Sequence, residues 1–440
     1  MTSNTESCLQ EEILIDHIIS RLPVKSLLRF KCVCKNWCDL FNSLSFIRKH
    51  CDNPGNRTHP AVCKFGVNYN HDPEPLRSFN FYVLPEKIFT GIVPTHQRLY
   101  RCEGVTDFRC IYGPVNGLFV LEKGHYLENV RFCWWNPATR ECRLIPKMNF
   151  ELLDFFDDHT RTAGIGLDLV NNDYKFIWIR VFYDNDKSEV YPKTYVAVYS
   201  LNDDSWKFLD EPDLPYDCNL CVSLNCTYLD GLHYWMSVTT DSDGNTTYGI
   251  RTFDFATELF GKREPPPFPS DHWGTLMLRC GSIAAISCND TARAYISFYD
   301  IWVTIGEDKW IKVFTINPQI PSHWPQGVWD YDKFIFELTE TRSLVFYDHS
   351  TKEVTNLGFN HFRLLSSSFC WFLYYKESIV PLCCFVMILA GDGRFDGFGV
   401  EYLVGLASSK LVHFMGCAPV WRKKENNWVG GVWIWELLVV

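Results

Sequence analysis

Apolar residues recur at helical spacing only within the first fifty positions of this 440-residue chain. Ile15, Ile18, Ile19 and Leu22 fall at i, i+3, i+4 and i+7, which predicts an amphipathic helix stopped by Pro23. Ser26 is placed to cap a second short helix carrying Leu27, Leu28 and Phe30. Val33, Trp37, Leu40 and Phe41 share one face of a third. Three helices of this length cannot hide so much apolar surface among themselves. Part of it is therefore expected to meet a partner.

Beyond about residue 60 the helical period disappears. Short β-type runs alternate with turns of Asp, Asn, Gly and Pro. A weak repeat joins four of these turns: Asn136–Cys142, Tyr199–Trp206, Phe253–Phe260 and Tyr347–Val354, with a poorer copy at Asp308–Trp310. Each has an apolar strand end, a polar turn bearing Asx and Ser or Thr, and a returning strand. Asx and hydroxyl side chains bond their own backbone in such turns, which accounts for the composition. The copies lie roughly 45 to 65 residues apart, the span of a four-stranded propeller blade. The expected body is thus mainly β, a β-propeller of six or seven blades, with an irregular β-sandwich as the alternative. The run Phe369–Val380 is expected to supply the strand that closes the ring.

Composition sharpens this picture in three ways. Aromatic residues make up 16% of the chain, and with many Val and Ile they favour strands over helices. The formal charge of −10 is uneven: residues 1–50 carry seven basic and five acidic side chains, a net of +2 that leaves −12 on the remainder. An acidic body repels phosphate backbones, so nucleic acid is a poor partner and a basic protein a better one. The opening is polar and acidic, without the pattern of a secretory signal, and the longest apolar run, Ile379–Ala390, is too short to span a bilayer. No membrane partner is expected. The chain reads as cytoplasmic, with a nuclear location also open, its 19 cysteines reduced and its four N-x-[ST] sequons unused.

Candidate chemistry is sparse. Cys218 and Cys221 form a CxxC with Cys226 nearby, but a second ligand pair at zinc spacing is missing, and His233 completes no known motif. Gly391–Gly397 has the flavour of a calcium loop without its acidic ligand set. Carboxylates such as Asp154, Asp157 and Asp158, or Asp203 and Asp204, read as solvated loop faces rather than acid–base pairs. There is no P-loop, no G-x-S-x-G and no H-E-x-x-H. No catalytic residue, metal site or cofactor is expected.

The string Ile18–Trp37, reading IISRLPVKSLLRFKCVCKNW, resembles a plant F-box, continued by Ser43–Phe46 with Leu44 where the family usually has Pro. Further on, Tyr112–Phe119, Trp135–Glu141 and Gly164–Lys175 resemble the plant F-box-associated, kelch-like domain. Val198–Leu201 with Asp204–Trp206, Asp300–Val303 and Tyr374–Ser378 point to the S-locus F-box group. The resemblance implies an F-box over residues 9–50, an associated β-propeller over 60–380 and an atypical extension over 381–440 to which no function attaches. It implies the substrate-recognition subunit of a ubiquitin ligase, not itself an enzyme, which recruits a target for degradation. A face of Leu22, Pro23, Leu27, Leu28, Phe30, Val33 and Trp37 would bind a Skp-type adaptor bridging to a cullin scaffold. Ile18 and Val33 fit internal packing as readily. The S-locus likeness implies a pistil S-ribonuclease met in pollen during self-incompatibility. Two other readings stand beside this one: a propeller enzyme with an adventitious helical head, and an F-box protein acting outside any ligase.

Overall fold

The computed structural model describes residues 15, 17–53, 56, 58–68, 76–84, 98–100, 108–124, 130–148, 156–184, 193–209, 214, 219–221, 226–240, 246–269, 272–289, 298–306, 309–320, 325–329, 332–338, 341, 343–357, 367–382, 412–424 and 427–439. It forms two compact units, 1–387 and 388–440.

Three helices open the first unit: α1 (Val24–Lys31), α2 (Lys35–Asn42) and α3 (Leu44–Asp52). They differ from the expected set by one step along the chain. The described end of the stripe that begins at Ile15 is a 3-10 turn, Ile19–Arg21, after which Pro23 becomes the N-cap of α1. Proline there lacks only a donor that a helix start leaves unused. Ser26 therefore lies inside α1 and caps nothing. The extra helix is α3, whose N-cap Ser43 accepts a hydrogen bond from the Phe46 amide at 3.3 Å. Aromatic rings run through all three: Phe30 meets Trp37 edge-on at 5.1 Å, and Phe41 meets Phe46 at 5.0 Å.

The β region is a propeller of six blades, the lower of the two expected counts. Blade 1 comprises Phe108–Val115, Leu118–Lys123, Arg131–Asn136 and Glu141–Leu144. Blade 2 comprises Phe156–Asp168, Asp173–Asp184, Lys193–Ser200 and Ser205–Leu209. In blade 3 the first strand is split, Asn219–Cys221 and Tyr228–Leu229, beside Leu232–Thr240, Thr246–Asp254 and Leu259–Arg263. Blade 4 holds His272–Arg279, Ser282–Asn289, Tyr299–Ile305 and Lys309–Ile316. Blade 5 holds Pro325–Trp329, Lys333–Glu337, Leu344–Asp348 and Val354–Asn356.

Blade 6 closes the ring from both parts of the chain. Ser367–Lys376 pairs antiparallel with Thr58–Asn68, and Leu76–Val83 and Arg98–Tyr100 follow outward. The pairing ties the start of the β region to its end through backbone hydrogen bonds and so shuts the ring. The expected closing run is shifted: the strand ends at Lys376, and Ser378–Leu382 leave the sheet to pack elsewhere.

The sequence repeat has a single structural meaning. Its five copies lie at the turn between the third and fourth strands of blades 1 to 5. Asn136, Asp254 and Asp348 each accept hydrogen bonds from the amides two and three residues on. In blades 1, 2, 3 and 5 the residue four positions after the turn start, Arg140, Asp204, Glu258 and Lys352, takes a left-handed φ of 63, 51, 58 and 64°. Tryptophans of the repeat stitch blades together. Trp206 donates to Pro146 O at 2.8 Å and Trp310 to Glu264 O at 2.9 Å.

Between blades 2 and 3 the Phe255 ring packs directly on the Gly166 backbone: a Cβ on Gly166 would lie 2.0 Å from that buried ring. The head shares one core with the propeller. Leu27, Phe41, Phe46 and Ile47 are continuous with Val115, Leu118, Trp134, Ile379 and Leu382. In the second unit the described residues form one hairpin, Val412–Lys424 paired with Asn427–Val439.

Candidate functional site

Strand direction gives the propeller two unlike ends. In blades 1 to 5 the first-to-second and third-to-fourth strand turns lie at one end, where they are short. The head docks at that end: Arg48 Nε donates to Asn172 Oδ1 at 2.8 Å, and Asn56 Nδ2 donates to Glu377 O at 3.0 Å. Second-to-third strand connections, and those between blades, leave from the opposite end. These include 185–192, 210–218 and 241–245, whose course lies largely outside the described residues. They carry Asp210, Glu211, Asp213, Asp217, Asp241 and Asp243.

The residues expected on the adaptor face are divided by the fold. Pro23 is exposed, Leu28 is half-buried, and Val33, between α1 and α2, is 66% exposed. Leu22, Phe30 and Trp37 are partly buried against the shared core. Leu27 departs from the expectation. It is fully buried among Phe41, Phe46 and propeller residues, so its side chain serves the chain's own core. Ile18 and Leu44 add exposed apolar surface at 55% and 57%. Leu44 was missed because a residue just inside a new helix start looks in sequence like the tail of the preceding one. Arg21, Lys25, Arg29 and Lys35 are exposed around these spots, giving an apolar surface edged with cations. The propeller covers part of the apolar excess on the helices, so a partner need cover only the rest.

Among the described residues a polar cluster lies between blades 2 and 3, beside a cavity of about 320 Å³. Lys175 Nζ sits 3.0 Å from Asp168 Oδ2 and 2.8 Å from Glu258 Oε1, and also donates to Phe255 O at 2.9 Å. Lys207 holds the other Glu258 oxygen at 2.6 Å. Burial opposes all three inner charges, but hydrogen bonds outweigh it: Asn171 and Lys175 on Asp168, Lys175 and Lys207 on Glu258, and both carboxylates on Lys175. Lys175 is accordingly raised, while Asp168 and Glu258 are lowered. Groups held fully charged around neutrality are poor proton donors or acceptors, so the cluster is a tie between blades.

Other sequence candidates are equally quiet. His233 is buried against Trp235 and pushed by burial down to about 4, hence neutral. The Cys226 thiol is pushed by burial up to about 12 and stays protonated. Asp203 is exposed, whereas Asp204 accepts from the Tyr199 hydroxyl and pairs with Arg143 at 3.1 Å. The side chains of Asp154, Asp157, Asp158, Cys218 and Cys221, and the loop Gly391–Gly397, lie outside the described residues. Among the described residues no three His, Cys, Asp or Glu side chains are grouped to hold a metal ion, and no helix is long and apolar enough to cross a membrane.

A small helical head on the tight-turn end of a six-bladed propeller defines the class of protein, and comparison with known families places the chain within it. The F-box associated beta propeller domain matches residues 107–380 and the F-box domain residues 7–49, so the chain belongs to the F-box family that carries this propeller. A putative F-box protein of Arabidopsis thaliana is 24% identical over 357 residues, covering 76% of this chain and 81% of the relative. Another F-box protein of that plant is 24% identical over 424 residues, covering 86% and 98%. An F-box/kelch-repeat protein, also from Arabidopsis thaliana, is 26% identical over 269 residues, 58% of this chain and 60% of its own. Among solved structures, a puromycin hydrolase aligns over 58% of this chain and 40% of its own with 8% identity and a TM-score of 0.35, a likeness too remote to carry an argument.

Proposed function

We propose that this protein is the substrate-recognition subunit of an adaptor–cullin ubiquitin ligase, without a covalent step of its own. The observation that carries the reading is the exposed apolar surface of Pro23, Val33 and half-buried Leu28 on an F-box head that the propeller leaves uncovered. Desolvated aliphatic anchors with a cationic rim suit an adaptor groove. In this reading Leu22, Phe30 and Trp37 support the face from beneath, and the site of action is the cytoplasm or nucleus. The ligase acts by proximity, holding the target beside a ubiquitin-charged enzyme.

The target surface in this proposal is the propeller end opposite the head, whose connections are acidic and free to vary without disturbing the blades. A basic protein fits it, and the S-locus resemblance extends the proposal to a pistil S-ribonuclease. Association with such a ribonuclease should slow steeply between low and physiological salt while dissociation changes less; a salt-independent on-rate removes the electrostatic part.

Co-purification from plant cells tests the ligase reading. Tagged full chain should bring down a Skp-type adaptor and a cullin. Leu28→Asp with Val33→Asp should abolish both while leaving the circular dichroism unchanged, because it places charge in the interface and not in the core. Capture of the adaptor undiminished by that pair, or no capture by the unaltered chain, overturns the assignment.

A further inference from the structure

The motifs that mark the propeller domain converge on one place. After the closing strand ends at Lys376, residues 377–382 form a strap that runs beneath the head and along blade 1. Gly117, at the first turn of blade 1 with φ +76°, lies so close that a Cβ there would sit 2.3 Å from Lys376 O and 2.7 Å from Ser378 Cβ. Asn136 is fully buried, and its Nδ2 donates to Ser378 O at 3.0 Å and Val380 O at 2.9 Å. Glu141 Oε2 accepts the Leu382 amide at 2.9 Å. From the other side Asn56 donates to Glu377 O, Lys376 Nζ to Cys51 O at the end of α3, and Ile379, Val380 and Leu382 fill the core that α3 shares.

The blades themselves show what Asn136 adds. Asp254 and Asp348 occupy its position in blades 3 and 5 and make the same turn through Oδ1. A carboxylate is thus sufficient for the turn. Blade 1 has an amide where two carbonyl oxygens face the second side-chain atom, and only an N–H₂ can satisfy both.

We propose that Gly117, Asn136 and Glu141 are positioning residues: with the strap they form a rigid joint that fixes the orientation of the helical head on the propeller. Resting on the ligase reading above, the joint sets how far a target held at the far end lies from the ubiquitin-charged enzyme.

Asn136→Asp separates the two roles of this side chain, because it keeps the turn acceptor and turns the donor into an oxygen facing two carbonyls. In the full chain, hydrogen exchange of peptides covering 377–382 should accelerate at least about tenfold while the peptide covering 137–141 is unchanged. The distance between encoded labels at Lys35 in the head and Lys309 in blade 4 should broaden from one narrow distribution. Asp254→Asn in blade 3 should move neither reading. Assembled with a Skp-type adaptor and cullin, the variant should bind the adaptor as before, yet self-modification should spread to a different set of propeller lysines.

If Asn136→Asp fails to fold, Gly117→Ala gives the same readings by pushing the strap away from the first turn of blade 1. An unchanged distance distribution overturns the joint. A broadened distribution with the same modified lysines overturns its role in transfer. Failure of the unaltered chain to bind adaptor overturns the ligase reading alone, since exchange and distance still decide the joint.

Discussion

His233 and Leu27 show how much of a residue's behaviour is set by neighbours far away in the chain. The His233 ring lies against Trp235 and beside the Gly164 backbone, and burial holds its folded pKa near 4, below the usual 6.5. A folded pKa below the unfolded one means stability fully present above about pH 6.5 and lost as pH falls toward 4, of the order of 3 kcal/mol in all. The urea midpoint should therefore decline across that window, and His233→Phe should flatten part of the decline. An unaltered pH profile in that variant would place the acid sensitivity elsewhere. In sequence His233 was an isolated imidazole near three cysteines; the blade-to-blade packing that neutralises it could not be seen there. Leu27 and Val33 were equally opaque. Both fit an apolar stripe, yet one is buried and the other 66% exposed, because only the docked propeller distinguishes the two sides of the head.

At the scale of the element, the third-to-fourth-strand turn was the most legible feature of the chain. Its chemistry is local, since Asx acceptors and amides two and three residues on belong to one short segment. The left-handed residue that ends each turn yields a sharp expectation. Lys352 is exposed at φ 64°, a conformation that costs a side-chain-bearing residue about 1 kcal/mol and a β-branched one more. Lys352→Gly should leave thermal stability unchanged or slightly raised, and Lys352→Val should lower it by ~1–2 kcal/mol. Equal effects of the two, measured by chemical denaturation, would show that this turn is not under conformational control. Helix boundaries were less legible. The shift from Ser26 to Pro23 as the start of α1, and the separate α3, depend on where the chain must bend to bring Phe30, Trp37, Phe41 and Phe46 together.

For the whole molecule, the critical boundary is the end of the strap. Cutting after Cys383 retains Asn136, Glu141 and their partners Ser378, Val380 and Leu382. We expect that truncation to melt within a few degrees of the full chain and to keep its capture of adaptor and cullin. Cutting after Lys376 keeps the closing strand but removes Ile379, Val380 and Leu382 from the shared core, three buried side chains at roughly 1–3 kcal/mol each. That shorter form should lose many degrees of melting temperature and should release the head to proteolysis. A large loss already at Cys383 would instead make the hairpin Val412–Val439 part of what stabilises the body.

By itself the sequence determined whatever depends on neighbours along the chain: the helical head, the strand-rich body and the repeated Asx turn, whose spacing favoured a propeller over a sandwich. It also held the F-box string and the acidic balance, which need no fold to be read. Only the tertiary structure decided the number of blades, because ring closure pairs Ser367–Lys376 with Thr58–Asn68 across some three hundred residues. It alone decided which apolar residues of the head remain for a partner, and that Gly117, Asn136 and Glu141 meet on one strap. The physical reason is the same in each case. Turn chemistry and periodicity act over a few residues, whereas closure, docking and the pairing of an amide with two distant carbonyls are set only when remote segments are brought together.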